Sequence, residues 1–160
     1  MTKIWEENID TFLQLSDKYS VKMLMVGGGA VNFHGYQRHS ADVDFWISTE
    51  KDNLNKLLKV FVEMGYEIDS FPLAVQNQEQ NISVKFSPEA LNLELITKFS
   101  LNKSFDEAYE SAEVAEVKGI SIYNWRVIKY SDLIESKKRA ARPKDLLDIR
   151  ELERIKKSTS

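Results

Sequence analysis

Cysteine is absent from the 160 residues, which excludes disulfides, thiolate metal sites and cysteine nucleophiles. Histidine is scarce: His34 and His39 are the two in the chain, too few for a histidine-rich zinc site. Glycine and proline number six and three, and no low-complexity linker or internal repeat is evident. No apolar run approaches the roughly 20 residues that a bilayer span needs. The opening Met1-Thr2-Lys3-Ile4-Trp5-Glu6-Glu7 lacks the basic and then apolar pattern of a secretion signal. These absences lead to the expectation of a soluble, cytoplasmic protein. The hydrophobic share of 42% and charged share of 29% suit a packed core and exclude a disordered chain. The length fits one compact unit, divided here into a core over 1–125 and a helical appendage over 126–160.

The net charge of −3 conceals an asymmetry. From Ser136 to Ser160 nine Lys and Arg face four acids, giving +5 and leaving −8 on the rest. Such a basic tail suits phosphates or the body's own carboxylates. The overall acidity argues against a dedicated duplex-binding protein.

Periodicity predicts an α/β chain of the α+β kind. Trp5, Ile9, Phe12 and Leu13 mark an amphipathic helix over 5–19. Met23-Leu24-Met25-Val26 reads as a buried strand that stops at Gly27-Gly28-Gly29, followed by a short helix over 29–35. Val43, Phe45 and Ile47 alternate with Asp42, Asp44 and Trp46, the period of a strand. Ser48-Thr49-Glu50 offers a cap to a helix whose apolar stripe is Leu54, Leu57, Leu58, Phe61 and Val62, ending near Gly65. Residues 66–97 read as a strand meander: 66–69, 73–75, then Ile82/Val84/Phe86 and Leu91/Leu93/Leu95, with Pro88 in a turn. A short helix over 105–112 and a hairpin about Lys118-Gly119 follow. Ser131 is placed as the cap of a helix over 132–141. Pro143 suits the first turn of a last helix, whose buried face is read as Leu146, Ile149, Leu152 and Ile155.

The chemistry concentrates between Met23 and Ile47. Glycines just after a strand let backbone N–H groups approach a phosphate, and a helix starting there favours an anion. Asp42 and Asp44, two apart on a strand, send both carboxylates off one face. Such a pair suits hard divalent cations. Two metals about 3.5–4 Å apart can activate an attacking oxygen and neutralise a leaving pyrophosphate.

This stretch resembles the nucleotidyltransferase superfamily with the polymerase-beta-like fold. Gly27-Gly28 match its loop, Asp42-Val43-Asp44 its aspartate pair, and Arg38 and Ser40 the Arg-x-Ser/Thr lead-in of bacterial single-domain members. The resemblance implies a mixed β-sheet with helices packed on one face and a C-terminal helix pair. It implies metal ligation by Asp42, Asp44 and a third carboxylate, for which Glu94 in Leu93-Glu94-Leu95-Ile96 is the candidate, as ligand or base. Glu89, Asp69 and Asp106 are its rivals. The cofactor implied is Mg²⁺ or Mn²⁺. The tail, Leu133-Ile134-Glu135-Ser136-Lys137 and Ala140 through Asp148, is similar to the ending of abortive-infection-type toxins. By that likeness Gly27, Gly28, Arg38, Ser40, Lys137 and Arg142 bind the nucleotide, with Lys144 a further candidate, and Asp145 and Asp148 are structural partners. The function implied is transfer of a nucleoside monophosphate from a nucleoside triphosphate to an unknown hydroxyl acceptor: a small molecule, a protein or an RNA end. A nucleic-acid acceptor is the less favoured. The alternative is an inactive nucleotide-binding module or a member of a toxin–antitoxin pair with a protein partner.

Taken singly, a glycine run is a turn and Asp-x-Asp a solvated strand face; their spacing with Arg38, Ser40 and the tail carries the assignment. His34 reads as a packing residue, while His39, beside the aspartates, is a phosphate or acceptor contact at most. Trp46 reads as core or cleft wall rather than a base-stacking platform. Trp5 reads as core and Trp125 as a candidate anchor for the tail. Lys156 and Lys157 read as a solvated helix face.

Overall fold

The computed structural model describes residues 7–40, 42–86, 91–118 and 122–159. The helix expected at the start is α1 (Glu7–Lys18), with Ile9, Phe12 and Leu13 fully buried; Trp5 lies outside the described residues. β1 (Met23–Val26) is buried at every position, because it is a central strand. It pairs antiparallel with β2 (Asp42–Ile47) and parallel with β6 (Ile122–Val127). Between β1 and β2 the chain makes α2 (Gly27–Phe33), which starts on the first glycine rather than the third.

Beyond β2 come α3 (Lys51–Glu63) and α4 (Leu73–Gln76). The cap expected from Ser48 to Glu50 is not a side-chain cap: Glu50 holds the N-cap position without one. Asn53 does the tethering instead. Its amide donates to the Lys22 and Ser48 carbonyls at 3.0 and 2.8 Å and accepts from the Lys22 N–H at 2.7 Å. Val60 rather than Val62 completes the buried stripe of α3. Residues 66–69 form no strand, and 73–75 fall in α4. The Pro72 carbonyl accepts from the N–H groups of Val75 and Gln76 and so winds a turn, and a run this short carries too little periodicity to tell the two apart.

β3 (Ile82–Lys85) and β4 (Asn92–Ile96) follow, the turn at Pro88 lying outside the described residues. α5 (Phe105–Glu110) opens with a capping box between Ser104 and Glu107. β5 (Glu113–Lys118) pairs antiparallel with β6; Gly119 lies outside the described residues. α6 (Tyr130–Ala140) starts at Lys129 as N-cap, so Ser131 sits inside the first turn instead of capping it. α7 (Pro143–Thr159) begins on the proline, as expected.

The six strands form one mixed sheet ordered β3-β4-β2-β1-β6-β5. Its apolar face includes Met25, Val43, Phe45, Leu93 and Leu95, all nearly or fully buried. α1 and α3 cover it: the Phe12 ring lies 6.2 Å from Phe45 and 5.9 Å from Phe61. The other face carries Asp42 and Asp44, and the α6–α7 pair borders it. Registry fixes what stands beside these acids. In the parallel β2–β4 pair Asp44 faces Glu94 and Asp42 faces Asn92, and residues in register project from the same face.

Of the face expected to be buried in α7, Ile149 and Leu152 turn inward but Leu146 does not. Leu146 is 53% exposed, while Asp145, Asp148, Ile149 and Leu152 are buried. The cause is electrostatic and lies in the site.

Candidate active site

Asp44 packs against the backbone of Gly27, whose φ of +61° is left-handed, and a Cβ at this position would collide with the Asp44 carboxylate. Glycine is therefore required twice over, for its dihedral and for the approach. At Gly28 a Cβ would stand 2.6 Å from Ser40 Oγ. Ser40 holds the entry to β2, its hydroxyl donating to the Asp42 carbonyl at 3.0 Å. The glycine turn, Ser40 and the aspartate strand thus lock together by contact. No side chain caps the start of α2.

The two aspartates differ in setting. Asp42 is exposed, and Asn92 Nδ2 donates to its Oδ1 at 3.2 Å. Asp44 is half-buried. Burial, then the charges of Asp42 and Glu94, push its carboxyl up from 3.8 to about 6, against the pull of Lys144 and Lys137. Glu94 accepts from Ser83 Oγ at 2.6 Å. Among the described residues no three Asp, Glu or His side chains gather closely enough to ligate one ion.

Across from the acids, cations and carboxylates interlock. Arg38 grips Asp148 with Nε at 2.8 Å and Nη2 at 3.0 Å. Lys137 Nζ reaches Asp148 at 2.9 Å and Asp145 at 3.4 Å. Arg142 holds Asp145 through Nε at 2.6 Å and Nη2 at 3.1 Å. Asp145 also accepts from the Arg142 N–H at 3.1 Å, which fixes the first turn of α7. Burial works against the Asp145 charge, yet Arg142 and Lys137 hold its carboxyl below the ordinary range. Buried charges need partners, so these cations turn the acids of α7 inward and leave Leu146 outside. Asp145 and Asp148 are structural partners, as expected.

Between the acids and this network lies a cavity of about 460 Å³. Gly27, Gly28, Arg38, Ser40, Asp42, Asp44, Lys137, Arg142 and Lys144 all line it. Glu94 does not; it flanks Asp44 within the sheet. Asn81, Lys98, Ser100 and Ser136 also line it; none was a candidate, though Ser136 falls within the tail segment quoted above. For Lys98 one signal was available, since it follows the carboxyl end of β4, where ligands gather in open α/β sheets.

The remaining candidates fall elsewhere. Asp69 and Asp106 are exposed and outside this cavity, and Glu89 lies outside the described residues. His34 is a packing residue: Nε2 donates to the Ile128 carbonyl at 2.7 Å, and its ring meets Phe33 and Tyr130 edge-on. His39 is exposed and outside the cavity. Trp46 is buried between Phe99 and Phe105, each 5.2 Å away. Trp125 sits on β6 beside Tyr123. Lys156 is exposed, its ammonium 4.0 Å from the Tyr130 ring centre. No helix among the described residues is long and apolar enough to cross a membrane.

An aspartate pair packed on a glycine turn, facing a cation wall across a polar cleft on a mixed sheet, is the arrangement of the nucleotidyltransferase class. Comparison with family models bears this out. Residues 6–160 match the model of a nucleotidyl transferase family of unknown function (DUF2204), and the chain belongs to that family. A search of curated proteins found no match.

Proposed function

We propose that the protein is a metal-dependent nucleotidyltransferase that moves a nucleoside monophosphate from a nucleoside triphosphate to a hydroxyl acceptor. One observation carries the reading: Asp42 and Asp44 line the same cleft as five cationic side chains, with Asp44 pressed against the glycine turn. The donor set suits a hard divalent cation. All its groups are oxygens, and burial and mutual repulsion raise the Asp44 carboxyl, a cost that a cation would relieve. Mg²⁺ or Mn²⁺ held by Asp42 and Asp44 would screen the phosphate charges and polarise their oxygens.

The chain's own residues do the rest. Gly27 and Gly28 let phosphate oxygens come close to the backbone. Arg38, Lys98, Lys137, Arg142 and Lys144 face the charge that grows on the departing pyrophosphate, the electrostatic assistance that supplies much of the rate in such reactions. The acceptor oxygen bonds to the α-phosphorus as the bond to the bridging oxygen breaks, and pyrophosphate leaves with that electron pair. Glu94, in register with Asp44, is the candidate to take the hydroxyl proton and pass it to water.

The test is label transfer from each of the four ribonucleoside triphosphates to a cell lysate, with Mg²⁺ or Mn²⁺. Transfer is expected for the wild type. Asp44→Asn is expected to lose at least about 100-fold, the scale on which electrostatic groups of this kind act, while its circular dichroism stays unchanged. An unchanged rate in the variant would falsify the metal role. A second reading, a nucleotide-binding module without catalysis, draws on Glu94, which is bonded to Ser83 and stands outside the cavity lining. Nucleotide binding by calorimetry with no transfer to any acceptor would select it.

A further inference from the structure

The polar cleft has two chemically different ends. α6 runs along it, for Leu133, Ser136, Lys137 and Ala140 line it at helical spacing. Where α6 ends, Lys137, Arg142 and Lys144 make a cationic wall. Arg38, which shares Asp148 with Lys137, closes that wall against the glycine turn: a Cβ at Gly28 would lie 3.8 Å from its Nη1. Leu133 lies about 10 Å back along the helix from Ala140. There the segment after β4 is tied to α6: Lys103 Nζ reaches Asp132 at 2.9 Å, and Glu135 accepts from the Asn102 N–H at 2.9 Å. Asn81, Ile96, Phe99 and Ser100 line this second end. Ile96 sets it on the face that carries the aspartates, being in register with Trp46, two residues beyond Asp44. A triphosphate belongs at the cationic end, so the nucleoside extends over Ile96 to the other.

Resting on the function proposed above, we infer that this second end is the base subsite, with Phe99 as its stacking wall, and that Asn81 selects a base presenting a carbonyl oxygen, uracil or guanine, over cytosine or adenine, which present an amino group. Phe99 is held in place: its ring lies 5.2 Å from Trp46, which Phe105 braces edge-on at 5.2 Å. Every base has a π-face, so stacking gives affinity but no choice. The choice falls to Asn81. Its Oδ1 accepts from the N–H of buried Thr97 at 3.0 Å and lies 3.4 Å from the Thr97 hydroxyl. A backbone N–H can only donate, so this contact fixes which end of the amide is oxygen. Nδ2 has no acceptor among the described residues, and it offers two N–H groups to the cleft. Lys98, assigned above to the phosphates, also only donates, and the Ser100 hydroxyl donates or accepts and so discriminates nothing. Uracil O4 and guanine O6 accept from such a group. Cytosine and adenine carry an amino group at the same place, which sets donor against donor and leaves both unpaired.

The full chain with Mg²⁺ is titrated with UTP, CTP, GTP and ATP by calorimetry. UTP is expected to bind at least about fivefold more tightly than CTP, or GTP than ATP, the scale of one hydrogen bond exchanged for opposed donors. The pair that shows the preference tells whether the site takes a pyrimidine or a purine. Asn81 is exposed, and Asn81→Asp keeps an oxygen for the Thr97 N–H while presenting a second oxygen in place of the amide nitrogen. It is expected to erase or reverse the preference; the added charge acts on both members of a pair and cancels in their ratio. Phe99→Leu is expected to weaken all four nucleotides at least about fivefold. Equal binding within both pairs, a preference for the amino-bearing member, or a ratio that Asn81→Asp leaves unchanged overturns the base subsite, as does full affinity in Phe99→Leu. If none of the four nucleotides binds the wild type, the function proposed above fails, and the base subsite with it.

Discussion

Replacing Asp44 by Asn should make the metal-free protein more stable at neutral pH while it destroys transfer. The native carboxyl titrates near 6, against an ordinary value of 3.8, because it is half-buried and faces Asp42 and Glu94. The native state therefore binds this proton more tightly than the unfolded chain does. For a raised carboxyl the associated stability is present in full below 3.8 and is lost as pH rises through about 6. Each tenfold in proton affinity corresponds to about 1.4 kcal/mol, so the loss is on the order of 2–3 kcal/mol above pH 6. An amide of the same shape carries no charge to bury. Asp44→Asn should then exceed the wild type by that amount at pH 7, roughly 5–10 °C in Tm for a chain of this size, and the two should converge as pH falls from about 6 towards 3.8. Urea unfolding followed by tryptophan fluorescence, from pH 4 to 8 with chelator, measures it. Added Mg²⁺ should raise the wild-type midpoint and leave the variant unmoved. A variant no more stable than the wild type at pH 7, or a difference that does not change with pH, refutes the reasoning.

Gly27→Ala should destabilise by at least about 1–2 kcal/mol from the left-handed dihedral alone, and the added Cβ should displace Asp44 and abolish transfer; denaturant midpoints and label transfer read the two effects. Asp148→Ala removes the shared partner of Arg38 and Lys137 and should cost about 3 kcal/mol, the lower end for a broken buried pair because Lys137 keeps Asp145; equal urea midpoints would contradict this. ATP should bind at least tenfold more weakly in chelator than with Mg²⁺, a difference of about 1.4 kcal/mol that calorimetry resolves.

The parts of the site that were legible in the sequence are those that a short period encodes. Alternation along 42–47 placed Asp42 and Asp44 on one face, and alternation along 91–95 set Glu94 opposite Leu93 and Leu95. The sheet then brings Glu94 into register with Asp44, and the match of residues 6–160 to a nucleotidyl transferase family agrees with the resemblance. Where local signals were short or contested, they misled. Residues 73–75 gave three apolar-biased positions that suit a strand or a turn of helix equally. Leu146 looked like core because periodicity counts leucine as inward and aspartate as outward. The Arg38–Asp148 pair spans 110 positions, and no window along the chain reveals that a cation waits for that acid. Asn81, Lys98, Ser100 and Ser136 reach the cleft from separate connections and helices, so only the assembled sheet makes them neighbours.

The buried pairs tie the helix appendage to the core by necessity. Arg38 comes from the segment between α2 and β2, and its guanidinium has Asp148 of α7 as its carboxylate partner. Asp145 and Asp148, nearly free of solvent, would be unaffordable in α7 without Lys137 and the two arginines. The Arg38–Asp148 pair thus ties α7 to the segment before β2. Five cations line the cleft, Arg38, Lys98, Lys137, Arg142 and Lys144, and Asp42, Asp44 and Asp145 line it with them. Asp148 and Glu94 stand directly behind, which brings the acids to five. With every group ionised the balance is zero. A triphosphate entering alone would leave the cleft strongly negative, close to a carboxyl already raised by its neighbours. A triphosphate entering with a divalent cation leaves much less excess, and the cation meets the acids that repel one another in its absence. On the function proposed above, this charge neutrality is expected to make the site select the metal–nucleotide complex over the bare nucleotide.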